Sequence, residues 1–337
     1  MNKKEVNKVV AVLSVPKNVV IVTHKNPDGD AVGSSLALYN YLNLKGHHVN
    51  VITPNDYPEF LKWLNGNNKV INFESKTKKA KEAIKKAEVV FCLDFNSLKR
   101  IDELGELIGA KNAFKVIIDH HLEPEGFADV CISDTSASST AQMVYEFIET
   151  IGDKDLINKA IANSIYMGIM TDTGSFRFTS VTAKTHHIIA HLIEAGADNS
   201  LVHEKVYDTN TESRLRLLGY CLSEKLKVFE EFHTALITLT KDELQRFNYK
   251  KGDTEGLVNY PLSIEGIKMT AFFAEGEDYI RISFRSKGDF SVNELSRNHF
   301  NGGGHGNAAG GMSELTMDET VLKFISLLPQ YRKALQS

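Results

Sequence analysis

The residues of this chain best suited to chemistry are imidazoles and carboxylates that follow short apolar runs. His24, Asp28 and Asp30 come after Val19-Val20-Ile21-Val22, Asp94 closes the run that begins at Val89, and Asp119-His120-His121 follows Lys115-Val116-Ile117-Ile118. Asp172 stands in Thr171-Asp172-Thr173-Gly174, at the end of the helical pattern 155–170. Each piece alone reads equally well as a turn, because His, Asn, Asp, Pro and Gly favour turns and Asp caps helices. Convergence decides between the readings. The C-terminal ends of parallel strands share one edge, where open α/β sheets bind ligands. His24, Asp28, Asp30, Asp94, His120 and Asp172 are too many ligands for one catalytic zinc, which takes three from the protein. They suit two ions roughly 3.5–4 Å apart that share a carboxylate and a water. Oxygen-rich coordination with some imidazole favours two Mn2+, with Mg2+, Co2+ or iron as substitutes. Such a pair generates hydroxide at neutral pH for attack on phosphorus, so the chemistry expected is phosphoester hydrolysis.

The elements that must position these groups follow from periodicity. Strands are expected at 18–23, 48–53, 88–94 and 115–118, alternating with helices at 31–45 (amphipathic), 74–87 and 101–109. That alternation predicts an α/β fold with a parallel sheet covered by helices on both faces. From 138 to 226 the pattern is mostly helical. Strands return at 233–240, 267–275 and 279–285, followed by a helix from Ser291 to His299 and the glycine run 302–306. With 337 residues two domains are expected, 1–226 carrying the metal site and 227–337 a smaller α/β domain that binds substrate, with the active-site cleft between them.

Other features carry less. His47-His48 and His186-His187 lack a neighbouring strand-end carboxylate and read as surface or half-buried histidines. The lysines between Lys76 and Lys86 read as a solvated helix face, since Ala80, Ala83, Ile84 and Ala87 supply the buried side. Residues 304–309 satisfy G-x-G-x-x-G/A but follow a helix, whereas the dinucleotide fingerprint must follow a strand. Cys92, Cys131 and Cys221 form no C-x-x-C pair; Cys92 and Cys131, in apolar runs, read as small core residues. A net charge of −4 argues against long nucleic acid as a partner. No apolar run reaches the length of a membrane helix and no signal-peptide core opens the chain, so a cytoplasmic protein with no membrane partner is expected.

Taken in order and spacing, His-x-x-x-Asp-x-Asp at 24–30, Asp94, Asp119-His120-His121 and Thr171–Gly174 resemble the DHH phosphoesterases. Gly302-Gly303-Gly304-His305 resembles the signature of the DHH-associated C-terminal domain. The resemblance implies one metal held by His24, Asp28 and Asp94, and a second held by Asp30, Asp94, His120 and Asp172. It implies that His121 faces the substrate phosphate, with Asp119 orienting a neighbouring imidazole. Arg285, His305 and the backbone of Gly303 and Gly304 would hold substrate phosphates. Arg281 and Arg100 would join them or serve as surface cations. The length and the closing glycine motif resemble the bifunctional nanoRNase/pAp phosphatase branch, which implies short RNA oligonucleotides and nucleotide bisphosphates as substrates, with a homodimer left open. Cleavage of pApA or cyclic di-AMP is the alternative. A pyrophosphatase or exopolyphosphatase, or a non-catalytic nucleotide-binding module, stands further off.

Overall fold

The computed structural model describes residues 1–250 and 252–336. They form two compact units, Met1–Thr209 and a second beginning at Asn210. The division falls ahead of residue 226 because the helix α9 (Glu212–Tyr220) and the turn after it belong to the second core. Leu217 and Cys221 are buried there with Ile237, Leu239 and Phe272.

The first unit is built on a six-stranded sheet in the order β3-β2-β1-β4-β5-β6, with every neighbouring pair parallel. The strands are β1 (Asn18–Val22), β2 (His48–Thr53), β3 (Ile71–Asn72), β4 (Val89–Leu93), β5 (Phe114–Asp119) and β6 (Val130–Ser133). The helices are α1 (Lys3–Val12), α2 (Gly29–Leu44), α3 (Thr77–Lys86), α4 (Glu103–Ala110), α5 (Thr140–Ile151), α6 (Lys159–Asp172), α7 (Ala183–Glu194) and α8 (Asn199–Tyr207). Alternate strand residues point to opposite faces, and each face has its own core. Val19, Ile21, Phe91 and Ile118 pack with Leu36 of α2, Val144 of α5 and Ile165 of α6. Val20, Val22, Cys92 and Ile117 pack with Ala80 and Ile84 of α3 and Ile108 of α4. Burying such Val, Leu and Ile side chains stabilises the unit by about 1.5–3 kcal/mol each. This is the parallel sheet, covered on both faces, that the alternating pattern predicts.

Three features depart from the sequence reading. The helix after β1 is not amphipathic in its first turns: Gly29 through Leu38 are all buried, because α5 and α6 pack over the side that would otherwise meet solvent. It also starts earlier than Ala31, since the Asp28 carboxylate caps it, accepting from the N–H groups of Asp30 and Ala31. Cys131 is exposed rather than part of the core: β6 is an edge strand with alternating burial, and Cys131 is on its open face.

The second unit holds a sheet in the order β11-β12-β10-β9-β8-β7, antiparallel except between β8 and β9. Its strands are β7 (Lys227–Phe229), β8 (Thr234–Leu239), β9 (Met269–Glu275), β10 (Ile280–Ser286), β11 (Gly303–His305) and β12 (Ala308–Ser313). Helices α11 (Val292–His299) and α12 (Met317–Gln336) cover one face, where Phe273, Phe284, Phe300 and Phe324 form the core. On the other face, α9 and α10 (Lys241–Arg246) cover Ile237, Leu239 and Phe272. The pair β11–β12 and the terminal helix were not expected. Gly and Ala offer neither the alternation nor the β-branched content by which strands are read.

Helices α2 and α6 meet at glycine. A Cβ built on Gly33 would lie 2.5 Å from the Ser164 carbonyl oxygen and 2.9 Å from the Gly168 nitrogen, both backbone atoms that cannot rotate away. Gly33→Ala should therefore cost about 1–3 kcal/mol through forced separation of the helices. Urea unfolding monitored by circular dichroism measures it, and an unchanged midpoint would contradict the packing described.

Candidate metal centre

All eight metal-site and catalytic candidates lie in the first unit, after three strands and one helix of the same fold. β1 and β4 are neighbours, but the chain leaves β1 toward β2 on the other side. The edge between β1 and β4 is thus the switch point of the sheet, where the loops diverge and leave space for a ligand. His24 and Asp28 follow β1, Asp94 follows β4, and Asp119-His120-His121 follows or ends β5. Asp30 is in the first turn of α2. Asp172, the last residue of α6, comes in across the close α2–α6 contact.

Ring tautomers follow from the backbone. His24 Nδ1 lies 2.8 Å from the carbonyl of Lys25 and His120 Nδ1 3.3 Å from that of Ala137. A carbonyl only accepts, so each Nδ1 carries a proton and donates, and each Nε2 is the nitrogen turned to the site. His24 Nε2 is 3.4 Å from Asp94 Oδ2 and 3.9 Å from Asp28 Oδ1. His120 Nε2 is 3.6 Å from Asp94 Oδ1, 3.5 Å from Asp172 Oδ2 and 3.8 Å from Asp30 Oδ2. The two Asp94 oxygens thus face two different groups: His24 with Asp28, and His120 with Asp30 and Asp172. Asp94 holds a left-handed φ of 66°, a conformation that costs a non-glycine residue about 1–3 kcal/mol. His121 donates from Nδ1 to Asp119 Oδ1 at 2.7 Å, and the Asp119 side chain is fully buried.

The charge is badly balanced without a cation. Burial pushes Asp30 well above the usual carboxylate range, and the nearby Asp94 and Asp172 push it further. Burial works against the charged form of His24, but hydrogen bonds and attraction from Asp28 and Asp94 outweigh it and raise the imidazole to about 10. Burial likewise opposes protonation of His120, and Asp94 and Asp30 overcome it to raise its pKa. Asp94, although buried, is held below its ordinary range by the His24 hydrogen bond and the neighbouring imidazoles. The shifts of Asp30, His24 and His120 all favour the protonated form, the direction that added positive charge at this site would oppose. Carboxylate oxygens and imidazole nitrogens turned toward one another in this way fit divalent cations.

Sequence reasoning missed several supporting groups. Thr140, read only as part of a helix start, donates through its hydroxyl to Asp94 Oδ1 at 3.0 Å. Asn55, after β2, exchanges two hydrogen bonds of 2.7 Å with Asn26 and fixes the loop between His24 and Asp28. Asn55 had a signal, being a polar residue just past a strand at the same sheet edge; Thr140 had none. Arg100 is next to this loop, its carbonyl accepting from the Lys25 N–H at 2.8 Å. His48, His186 and His187 are exposed, whereas His47 is buried and accepts from the Lys17 N–H, a structural role.

The substrate candidates other than Arg100 lie in the second unit. Arg281 and Arg285 share the face of β10 opposite the buried Ile282 and Phe284. Arg285 pairs in register with Ala308, which pairs on its other side with His305, so Arg285 and His305 share one row of three strands. Arg281 reaches the Tyr249 hydroxyl at 3.4 Å. The Gly304 N–H donates to Asn293 Oδ1 at 3.0 Å. Gly304 is needed for space, since its φ is 151° and a Cβ there would meet the Ala308 carbonyl oxygen at 2.4 Å.

A switch-point site of this composition is that of a divalent-cation hydrolase. Residues 18–169 match the DHH family, N-terminal domain, and residues 233–331 the DHHA1 domain. The chain is 31% identical over 302 residues to the bifunctional oligoribonuclease and PAP phosphatase NrnA of Bacillus subtilis, covering 89% of this chain and 91% of that one. It is 25% identical to the cyclic-di-AMP phosphodiesterase PdeA of Listeria monocytogenes, over 94% of this chain and 48% of that one. The crystal structure of an exopolyphosphatase-related protein from Bacteroides fragilis superposes with a TM-score of 0.96 at 43% identity, covering 100% of this chain and 98% of that one. The chain belongs to the DHH family of metal-dependent phosphoesterases. Among the described residues, no helix is long and apolar enough to cross a membrane.

Metal binding must displace protons from this site. The raised His24 favours the metal-free fold below its ordinary value near 6.5, and that contribution is lost as pH rises through about 10. Mn2+ affinity should therefore rise with pH across this window, and titration calorimetry in buffers of different ionisation enthalpy should show proton release. Heats independent of the buffer would contradict it.

Proposed function

We propose that this chain is a manganese-dependent phosphoesterase that hydrolyses short oligoribonucleotides and 3′-phosphoadenosine 5′-phosphate in the cytoplasm. The observation that carries the reading is Asp94, whose two oxygens are turned to two separate groups of ligands. On this reading His24, Asp28 and Asp94 hold one cation, and Asp30, Asp94, His120 and Asp172 the other. Divalent cations bound there supply Lewis acidity toward water and phosphate oxygens. The chain supplies the rest. Backbone carbonyls fix the His24 and His120 tautomers. Asp119 orients His121, whose Nε2 faces away from it and toward the substrate phosphate. Arg285, with His305 in its row, binds the substrate's phosphates by charge-assisted hydrogen bonds.

The nucleotide substrates are supported by the activities named for the Bacillus subtilis relative. The cyclic-di-AMP relative supports a second reading, cleavage of pApA or cyclic di-AMP at the same site. A panel with Mn2+ separates them: pAp and RNAs of two to five nucleotides should be consumed faster than pApA, cyclic di-AMP and pyrophosphate. If pAp and the short RNAs both stay intact, the proposal fails.

Asp94→Ala should lower kcat/KM by roughly a thousandfold or more, since metal stabilisation of transition-state charge is worth several kcal/mol. Retained turnover would remove Asp94 from the centre. Arg285→Ala should raise KM for pAp about tenfold with kcat little changed, the effect of one charge-assisted bond made equally in ground and transition states. Loss confined to kcat would assign Arg285 to the chemical step instead.

A further inference from the structure

Two of the carboxylates in the centre are held by a single residue outside the ligand set. Thr140 is the first residue of α5, and its side chain is fully buried. Its backbone N–H donates to Asp30 Oδ2 at 2.6 Å, and the N–H of Ala141 donates to Asp30 Oδ1 at 2.8 Å. Its hydroxyl donates to Asp94 Oδ1 at 3.0 Å, the same oxygen that faces His120 at 3.6 Å and His121 at 3.7 Å. Asp30 and Asp94 come from different elements, α2 and the end of β4. Among the described contacts, Thr140 alone joins them through hydrogen bonds to both.

The start of α5 is itself fixed. Ser139 caps the helix by accepting from the Gln142 N–H at 3.0 Å. Gln142 Oε1 accepts from Ser138 at 2.7 Å and from Thr185, in the first turn of α7, at 3.0 Å. Gln142 Nε2 donates to Glu146 at 3.0 Å, and Glu146 pairs with Lys184 at 2.7 Å. This network, buried except at Lys184, ties α5 to α7 and holds the start of α5 in place.

We propose that Thr140 is a positioning residue, whose hydroxyl fixes the rotation of the Asp94 carboxylate and so the division of its two oxygens between the two ligand groups. The inference rests on the dimetal reading above. Asp94 and Asp30 repel one another when both are charged and no cation is present. Donors on both oxygens of Asp30 and on one of Asp94 keep them spaced for a cation instead of allowing them to turn apart. Partners that orient metal ligands in this way are typically worth 10–100-fold in metal affinity.

Thr140→Val keeps the shape and the backbone N–H but deletes the hydroxyl, and Thr140→Ser restores it. Ser139→Ala removes the helix cap without touching Asp94. In Mn2+ titration calorimetry, wild-type protein should bind two ions. T140V should bind at least one of them about 10-fold more weakly, T140S within about 3-fold of wild type, and S139A like wild type despite a lower Tm. The Mn2+ concentration for half-maximal pAp hydrolysis should rise in T140V, with KM for pAp at saturating Mn2+ unchanged. Equal Mn2+ affinity in wild type and T140V would overturn the role of Thr140, as would an equal loss in S139A, which would reduce Thr140 to a residue of the helix start. Wild-type protein that binds fewer than two ions would overturn the dimetal reading itself.

Discussion

Buried carboxylates repel one another, and this chain buries several at one sheet edge. Asp30, Asp94 and Asp119 are each 2% exposed or less, and Asp172 lies 3.5 Å from the His120 imidazole that Asp94 and Asp30 also face. Isolated buried charge costs several kcal/mol per ion even after relaxation. The protein meets that cost in part by raising the pKa of His24, His120 and Asp30 and by donors from α5. A cation meets it more fully, because it favours the charged form of every ligand at once. The same imbalance thus favours divalent metal at these clusters.

The fold exists to hold that imbalance in place. Strand order puts β1 beside β4 with their loops diverging, and each loop contributes candidate ligands from a backbone fixed by sheet hydrogen bonds. Asp30 and Asp172 depend instead on how closely α2 and α6 approach, which Gly33 permits. Chemistry and packing therefore meet in a few residues. A methyl group at Gly33, one helical turn from Asp30, would move two candidate ligands by separating the helices that carry them.

Much of this was legible in the sequence because it is written in short-range patterns. Apolar runs ending in His or Asp marked β1, β4 and β5 and the side chains at their ends, and the parallel arrangement then implied that they meet. What stayed hidden depends on tertiary contacts. Nothing in Ser139-Thr140-Ala141-Gln142 shows that its N–H groups and hydroxyl reach Asp30 and Asp94, more than forty residues away in sequence. The burial of α2 on all sides follows from helices supplied far downstream, and the exposure of Cys131 from its being on the last strand of the sheet. In the second unit, Gly303–His305 and Ala308–Ser313 form strands whose residues lack the usual β signature.

The central claim is that Asp94 is shared between two cations. Crystals grown with Mn2+ and measured at the manganese absorption edge test it most directly. The account predicts two anomalous peaks roughly 3.5–4 Å apart, one against His24 and Asp28, the other against Asp30, His120 and Asp172, with Asp94 touching both. A single peak, or two peaks of which Asp94 touches only one, would contradict it.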